Sequence, residues 1–389
     1  MREPSRFKKW FLPTITVLTS ILLTISVLEI SLWLIAPVPF HEWMEWIPDG
    51  RIQGRAKPLQ EFQSGTDYGV RKTARADGTK AERHTVRINR LGFRGPEYEW
   101  RPAPGTLRIA TFAGSSGFCY NQAEEETWPG RLQVYLEQGL NMPVEVINLA
   151  LPGFNSANSK INYLFTGREL HPHVAIFYHT WNDIKWFRLI EQSPIKVIFA
   201  SIASNKPYWE RLARKTQIGR RVRNFLRAKQ NVPYGETTYF SPEPGEVGAD
   251  RPVSPAALLW ARRNFSDFAM FAHSDNVLPV LVSQATIIAK ENLTKPEYNK
   301  KSILQFVGMT PMVLFESWIE MNRIMKEVSS QSSTIFIDGY GAVPHNYIYL
   351  EDHVHLTTEG CAVLAQGIAD ALLKDRRFLK MANHLRLKP

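Results

Sequence analysis

Cysteine is almost missing from the 389 residues: Cys119 and Cys361 are the only two, too few for a disulfide framework. Charged residues are sparse, 22% against 44% hydrophobic, which excludes a disordered polyelectrolyte. There is no internal repeat and no low-complexity tract. Neither G-x-G-x-x-G nor the lysine of a P-loop occurs, so the common glycine-rich phosphate cradles are excluded. Acidic residues are in deficit, 37 against 47 basic ones, for a net charge of +10. The length accommodates one large or two ordinary domains with a sizeable core.

The basic excess is local. Arg2, Arg6, Lys8 and Lys9 against Glu3 give the N-terminus +3. Lys206, Arg211, Arg214, Lys215, Arg220, Arg221, Arg223, Arg227 and Lys229 against Glu210 give the segment 206–229 a further +8. Everything else sums to −1. Such a distribution, without a recognition motif, argues against a nucleic-acid partner.

Residues 10–36 form the long apolar run, with 18 uncharged residues from Phe11 to Leu28. At about 1.5 Å per residue this spans the roughly 30 Å hydrocarbon core. Basic residues precede it and Glu42, Glu45 and Asp49 follow, which predicts a cytoplasmic N-terminus by the positive-inside rule. Leu34-Ile35-Ala36-Pro37 is a poor cleavage site, so the run reads as an uncleaved anchor rather than a signal peptide. Glu29 is expected at the outer headgroup level with Trp33. The expected organisation is a cytoplasmic tail over 1–9, a transmembrane anchor over 10–36 and a membrane-proximal extension over 37–104. A domain over 105–380 follows, outside the cytoplasm, with a basic insertion near 185–255.

From Thr106 onward, short β-branched runs alternate with longer amphipathic ones, the pattern of βαβ units. Strands are predicted over 107–112, 144–149, 174–178, 277–282 and 334–337, with a short extra strand over 85–88. Helices are predicted over 128–138, 157–170, 256–272, 311–328 and 358–373. This is a three-layer α/β/α arrangement with a five-stranded parallel sheet, in which ligands gather beyond the carboxyl ends of the strands.

Residues just after those strands therefore carry the chemistry. The first strand runs into Ala113-Gly114-Ser115-Ser116-Gly117-Phe118-Cys119, where small residues place a serine ahead of helix amides. After the second, Gly153 brings a backbone N–H close to a ligand, and Ser156 is a candidate cap for the next helix. After the third, His179-Thr180-Trp181-Asn182-Asp183 supplies a carboxamide donor. Near the C-terminus, Asp352 stands three residues before His355, a spacing at which a carboxylate orients an imidazole acting as base toward a serine. Two alternatives stay open from these residues: Ser116 in place of Ser115, and a metal site built from Asp352, His353 and His355. No cofactor and no metal are expected.

Together these segments resemble the SGNH, or GDSL-type, serine hydrolase family in its membrane-anchored bacterial form. Residues 113–129, AGSSGFCYNQAEEETWP, are similar to its first block, Gly153 to its second, Thr180-Trp181-Asn182-Asp183 to its third and Asp352-His353-Val354-His355-Leu356-Thr357 to its fifth. Ile88-Asn89-Arg90-Leu91-Gly92-Phe93-Arg94-Gly95 resembles the lead-in of anchored members, and the likeness covers about 86–373. It implies a flavodoxin-like strand order, Ser115 as nucleophile, His355 as base and Asp352 as its orienting carboxylate. It also implies an oxyanion hole from the backbone N–H groups of Ser115 and Gly153 and the Asn182 side chain. Ala113-Gly114 stands in place of the Gly-Asp before the nucleophile, Thr180 in place of the usual Gly, and Cys119 in place of a Gly. In that strand order Cys119 and Cys361 fall on neighbouring helices, open to a disulfide or to two packed thiols.

In the insertion, Trp209, Leu212, Ile218, Val222, Phe225 and Leu226 recur at near-helical spacing among the arginines, with a break at Gly219. A membrane surface or acidic polysaccharide would suit it, and so would a solvated edge helix. The expected activity is hydrolysis of an ester of a glycan or a lipid. Acyl transfer to a cell-envelope polysaccharide and a non-catalytic glycan- or membrane-binding module are the alternatives.

Overall fold

The computed structural model describes residues 6–36, 61–63, 84–185, 187, 216–219, 221–222, 225, 250–296, 298 and 308–387. Residues 1–5 and most of the insertion expected near 185–255 lie outside the described residues. The chain divides into two compact units, Met1–Glu42 with Ser204–Glu236, and Trp43–Ala203 with Thr237–Pro389.

In the first unit, helix α1 runs over Arg6–Ile35. Its portion Pro13–Ile35, of mean hydropathy 2.1, is long and apolar enough to cross a membrane. Glu29 does not merely face outward from this helix. Its carboxylate accepts the backbone N–H of Gln217 and, at 3.0 Å, that of Ile218. Thr216 Oγ1 takes the N–H of Gly219 at 3.0 Å, so the described part of the basic segment begins as a capped helical turn. The Arg221 guanidinium donates to the carbonyl of Ala36.

The second unit is built on five parallel strands: β3 (Leu107–Ala113), β4 (Val144–Asn148), β5 (Val174–Tyr178), β6 (Leu278–Val282) and β7 (Ile335–Ile337). Their order is β4-β3-β5-β6-β7, all neighbours parallel. Every residue of β3 and β5 is buried, as two covered faces require. A separate two-stranded ribbon pairs β1 (Glu61–Gln63) with β2 (Thr85–Arg87).

The flanking helices start where polar caps and prolines dictate. Helices α3 (Trp128–Leu140), α6 (Pro255–Ser274) and α7 (Pro311–Gln331) each carry Pro in the first turn behind a capping Thr127, Ser254 or Thr310. Helix α9 (Thr358–Leu372) is capped by Thr357. It packs against α3, whereas α6 packs against α7 and α4 (Ser156–Asn162), giving the helix layers of an α/β/α sandwich. The helix expected over 157–170 is shorter: α4 passes into a wide turn at Tyr163–Gly167 and a tight one at Arg168–Leu170.

Both ends of this unit reach past the bounds expected at 105 and 380. Upstream, Val86, Ile88 and Phe93 are buried in its core with the Arg94 side chain. Downstream, Asp375 accepts the N–H groups of Arg377 and Phe378 and opens a further helix, α10 (Arg376–Arg386), which buries Phe378 and Ala382. That helix falls after the last strand, where no βαβ pattern calls for one.

Candidate active site

Strand β3 delivers Ala113 and Gly114 to the carboxyl edge of the sheet, and the four-residue helix α2 (Ser115–Phe118) turns away from it. Gly114 is required there. A β-carbon on it would lie 2.5 Å from Asn182 Nδ2 and 2.9 Å from the Phe154 carbonyl. The Ser115 side chain is half-buried, whereas Ser116 is buried and its Oγ accepts Gln284 Nε2–H at 2.7 Å. The carbonyl of Ser116 takes the Trp128 indole N–H at 3.3 Å, and Asn148 Nδ2 donates to the carbonyl of Gly117 at 2.9 Å. The turn is thus pinned from three sides, with one serine committed to packing and the other left facing His355.

Residues 350–356 form a loop closed by a bridge between Leu350 and Leu356, and by the Glu351 N–H on the His355 carbonyl at 2.7 Å. Within it, Asp352 Oδ1 accepts the backbone N–H groups of Val354 and His355, both at 2.9 Å. Asp352 Oδ2 lies 2.7 Å from His355 Nδ1, and His355 Nε2 lies 2.8 Å from Ser115 Oγ. An ionised carboxylate only accepts, so Nδ1 carries the proton and Nε2 accepts from the serine hydroxyl. Burial opposes ionisation of Asp352, yet the two histidines and the hydrogen bonds outweigh it and hold its pKa well below the carboxylate range. Burial likewise disfavours the His355 imidazolium, but the charge and hydrogen bond of Asp352 prevail and raise its pKa.

The segment after β4 turns through Leu151-Pro152-Gly153-Phe154, closed by the Phe154 N–H on the Leu151 carbonyl at 3.1 Å. Gly153 takes φ +82 in this turn, is exposed, and has open space on its β-carbon side. A left-handed residue behind a proline is the glycine position of such a turn. The cap of α4 is Asn155, not Ser156 as expected; its side chain accepts the Asn158 N–H at 3.0 Å. Ser156 instead donates its hydroxyl at 2.5 Å and its N–H at 3.1 Å to Asp183 Oδ1. Asn182 and Asp183 share the short helix α5 (Trp181–Ile184), and Asn182 Nδ2 donates to the Phe154 carbonyl at 2.8 Å. Asp183 therefore holds the start of α4 while Asn182 holds the end of the Gly153 turn. Burial pushes the Asp183 carboxyl up to about 7 against the two Ser156 bonds.

Ser115, His355 and Asp352 are thus in one hydrogen-bonded line, and Asn182 is beside Gly114, next to the turn that holds Gly153. Asp352, His353 and His355 do not converge as ligands: among the described residues no group of three His, Cys, Asp or Glu side chains is placed to hold a metal ion. His353 packs its ring on Trp181 at 4.1 Å, and its carbonyl takes the Thr286 hydroxyl at 2.6 Å and the Ile287 N–H at 3.1 Å.

Three further residues, to which sequence alone assigns no role, shape this site. Gln284 follows β6 and joins Ser116 to the Trp181 N–H, which its Oε1 accepts at 2.8 Å. Its place after a strand is the available signal. Gln122 donates to the Leu356 carbonyl at 3.0 Å and to Glu351 at 3.1 Å, bridging the Ser115 and His355 segments. Arg94, from the lead-in, is fully buried. It donates to the carbonyls of Phe118 at 2.8 Å, Gln122 at 2.6 Å and Cys119, and to Glu124 at 2.8 Å.

No family model and no curated protein matches the chain. Solved structures do. An acetylxylan esterase from Geobacillus stearothermophilus aligns over 68% of this chain and 93% of its own, at 10% identity and a TM-score of 0.40. A protein described as TesA aligns over 68% and 98%, at 12% identity and a TM-score of 0.39. A lipolytic protein of the G-D-S-L family from Desulfitobacterium hafniense aligns over 68% and 99%, at 11% identity and a TM-score of 0.36. In strand order and in the succession of its strand-end segments, the chain resembles the SGNH, or GDSL-type, hydrolases.

Proposed function

We propose that the chain is a serine ester hydrolase anchored to a membrane by α1, with the domain that carries Ser115 outside the cytoplasm. The observation that carries the chemistry is the contact of Ser115 Oγ with His355 Nε2 at 2.8 Å, backed by Asp352 at 2.7 Å.

In this reading Ser115 Oγ attacks the ester carbonyl carbon as its proton passes to His355 Nε2. Asp352 stabilises the imidazolium without taking the proton. The backbone N–H groups of Ser115 and Gly153 and the carboxamide of Asn182 face the negative oxygen of the tetrahedral intermediate. His355 returns the proton to the departing alcohol. Water then attacks the acyl-serine with His355 again as base, and carboxylate product leaves. The substrate is an ester of a glycan or a lipid, and the basic composition of segment 206–229 suits an anionic surface. The basic residues before the apolar run, Arg2, Arg6, Lys8 and Lys9, support the orientation.

A fluorophosphonate probe on the detergent-solubilised full chain tests the assignment. Labelling is expected to persist in Ser116→Ala and to vanish in Ser115→Ala. Loss in Ser116→Ala alone would move the nucleophile by one position, and no labelling of the unaltered protein would leave a binding module. Release of free carboxylate from a model ester separates hydrolysis from transfer.

A further inference from the structure

The two thiols of the chain meet beneath the Ser115 turn. Cys119 and Cys361, separated by 242 positions, place their Sγ atoms 3.8 Å apart, and both are buried. Cys119 closes α2 with φ 55, a left-handed conformation that residues with a β-carbon seldom adopt. Cys361 lies in the first turn of α9, its N–H on the Thr357 carbonyl at 2.8 Å. A disulfide needs the sulfur atoms about 2 Å closer.

We propose that Cys119 and Cys361 are joined by a disulfide in the mature protein, tying the turn that carries Ser115 to the helix that follows His355. The pairing rests on the reading that this domain lies outside the cytoplasm, where disulfides persist. Without the bond, the two halves of the Ser115–His355 contact are joined only by non-covalent contacts, the hydrogen bonds of Gln122 among them.

Either thiol can open the exchange, and the electron count is the same whether Cys119 or Cys361 does so. The oxidant is a disulfide-bearing thiol oxidoreductase of the extracytoplasmic compartment. Cys119 thiolate attacks one sulfur of its disulfide, forming a mixed disulfide and expelling the other sulfur as thiolate. Cys361 thiolate then attacks the Cys119 sulfur and releases the oxidant's remaining thiolate. Two electrons pass to the oxidant, and the two thiol protons end on its two sulfurs. Because both cysteines are buried in the folded unit, the exchange precedes the docking of α9.

Alkylation of the full chain, denatured directly from its membranes, counts the free thiols. None are expected to react before reduction and two after it. Unfolding of the purified chain provides a second measurement. Reductant should lower the wild-type midpoint by about 5–10 °C and leave Cys361→Ala unmoved. Protease added to spheroplasts of the same cells reports the topology. Two reactive thiols in a domain the protease digests would overturn the pairing alone. Two reactive thiols in a protected domain would overturn the topology and the pairing with it. A reductant-sensitive dimer in place of the internal bond would also overturn the pairing.

Discussion

At the scale of single residues, Asp352 does three things with one carboxylate. Oδ1 organises its own loop through two backbone donors, and Oδ2 fixes the proton on His355 Nδ1. It also sets the pH at which His355 can accept a proton. The His355 pKa is raised by Asp352 against the effect of burial, so the neutral form that the proposed reaction needs as base predominates only above the ordinary histidine value near 6.5. Esterase kcat/KM is therefore expected to rise with pH through a midpoint above 6.5. In Asp352→Asn the rate should fall about 10³–10⁴-fold and the midpoint should move to lower pH. A pH–rate profile of both proteins on a neutral nitrophenyl ester checks the two effects together, and an unmoved midpoint would contradict the assignment. Spacing pointed to Asp352 and His355 because three positions in a tight loop bring the side chains together. The choice between Ser115 and Ser116 rested on motif register alone, because adjacent serines differ only in which way the turn points them.

At the scale of elements, the lead-in is part of the domain through Arg94. Its guanidinium is withdrawn from water and donates to the carbonyl of Phe118 at the end of α2, to those of Cys119 and Gln122 after it, and to Glu124. Truncation leaves those acceptors without a donor, a larger effect than loss of an exposed ion pair. Arg94→Ala is expected to destabilise the protein by about 3–5 kcal/mol, read as a lowered urea midpoint. Arg94→Lys should recover only part of this, since an ammonium cannot span the same fork of acceptors. The sequence showed Arg94 as one letter of a recurrent lead-in and gave no hint of its partners, which lie 24 to 30 positions downstream. Helix starts were far more legible: Thr127, Ser254, Thr310 and Thr357 cap the helices whose apolar faces were already periodic.

At the scale of the whole molecule, two carboxyls, the buried Asp183 and the half-buried Glu351, give the stability a pH dependence. Burial pushes both Asp183 and Glu351 up to about 7, in each case against hydrogen bonds that favour the anion. A carboxyl of raised pKa binds its proton more tightly folded than unfolded, so stability falls as pH rises between the unfolded value near 4 and about 7. The slope is at most about 1.4 kcal/mol per pH unit for each such group. Asp352 runs the other way, its contribution present above about 4 and lost in stronger acid. Urea unfolding of Asp183→Asn at pH 4 to 7 should show a shallower decline than the unaltered protein, and an equal slope would remove Asp183 from the account.

Much of this protein was written locally. Hydrophobic periodicity sufficed for five parallel strands and their helices, and strand-end placement for the segments that hold Ser115, Gly153, Asn182, Asp352 and His355, because period and spacing are properties of neighbours in sequence. The apolar run before the domain was legible for the same reason. What only the tertiary structure decided were meetings across long separations. Gln284 commits Ser116 to packing, Arg94 and Gln122 brace the Ser115 turn, Ser156 turns from cap to donor for Asp183, and Cys119 finds Cys361. Each depends on which elements become adjacent in three dimensions, and side-chain hydrogen bonds between distant elements leave no periodic trace along the chain.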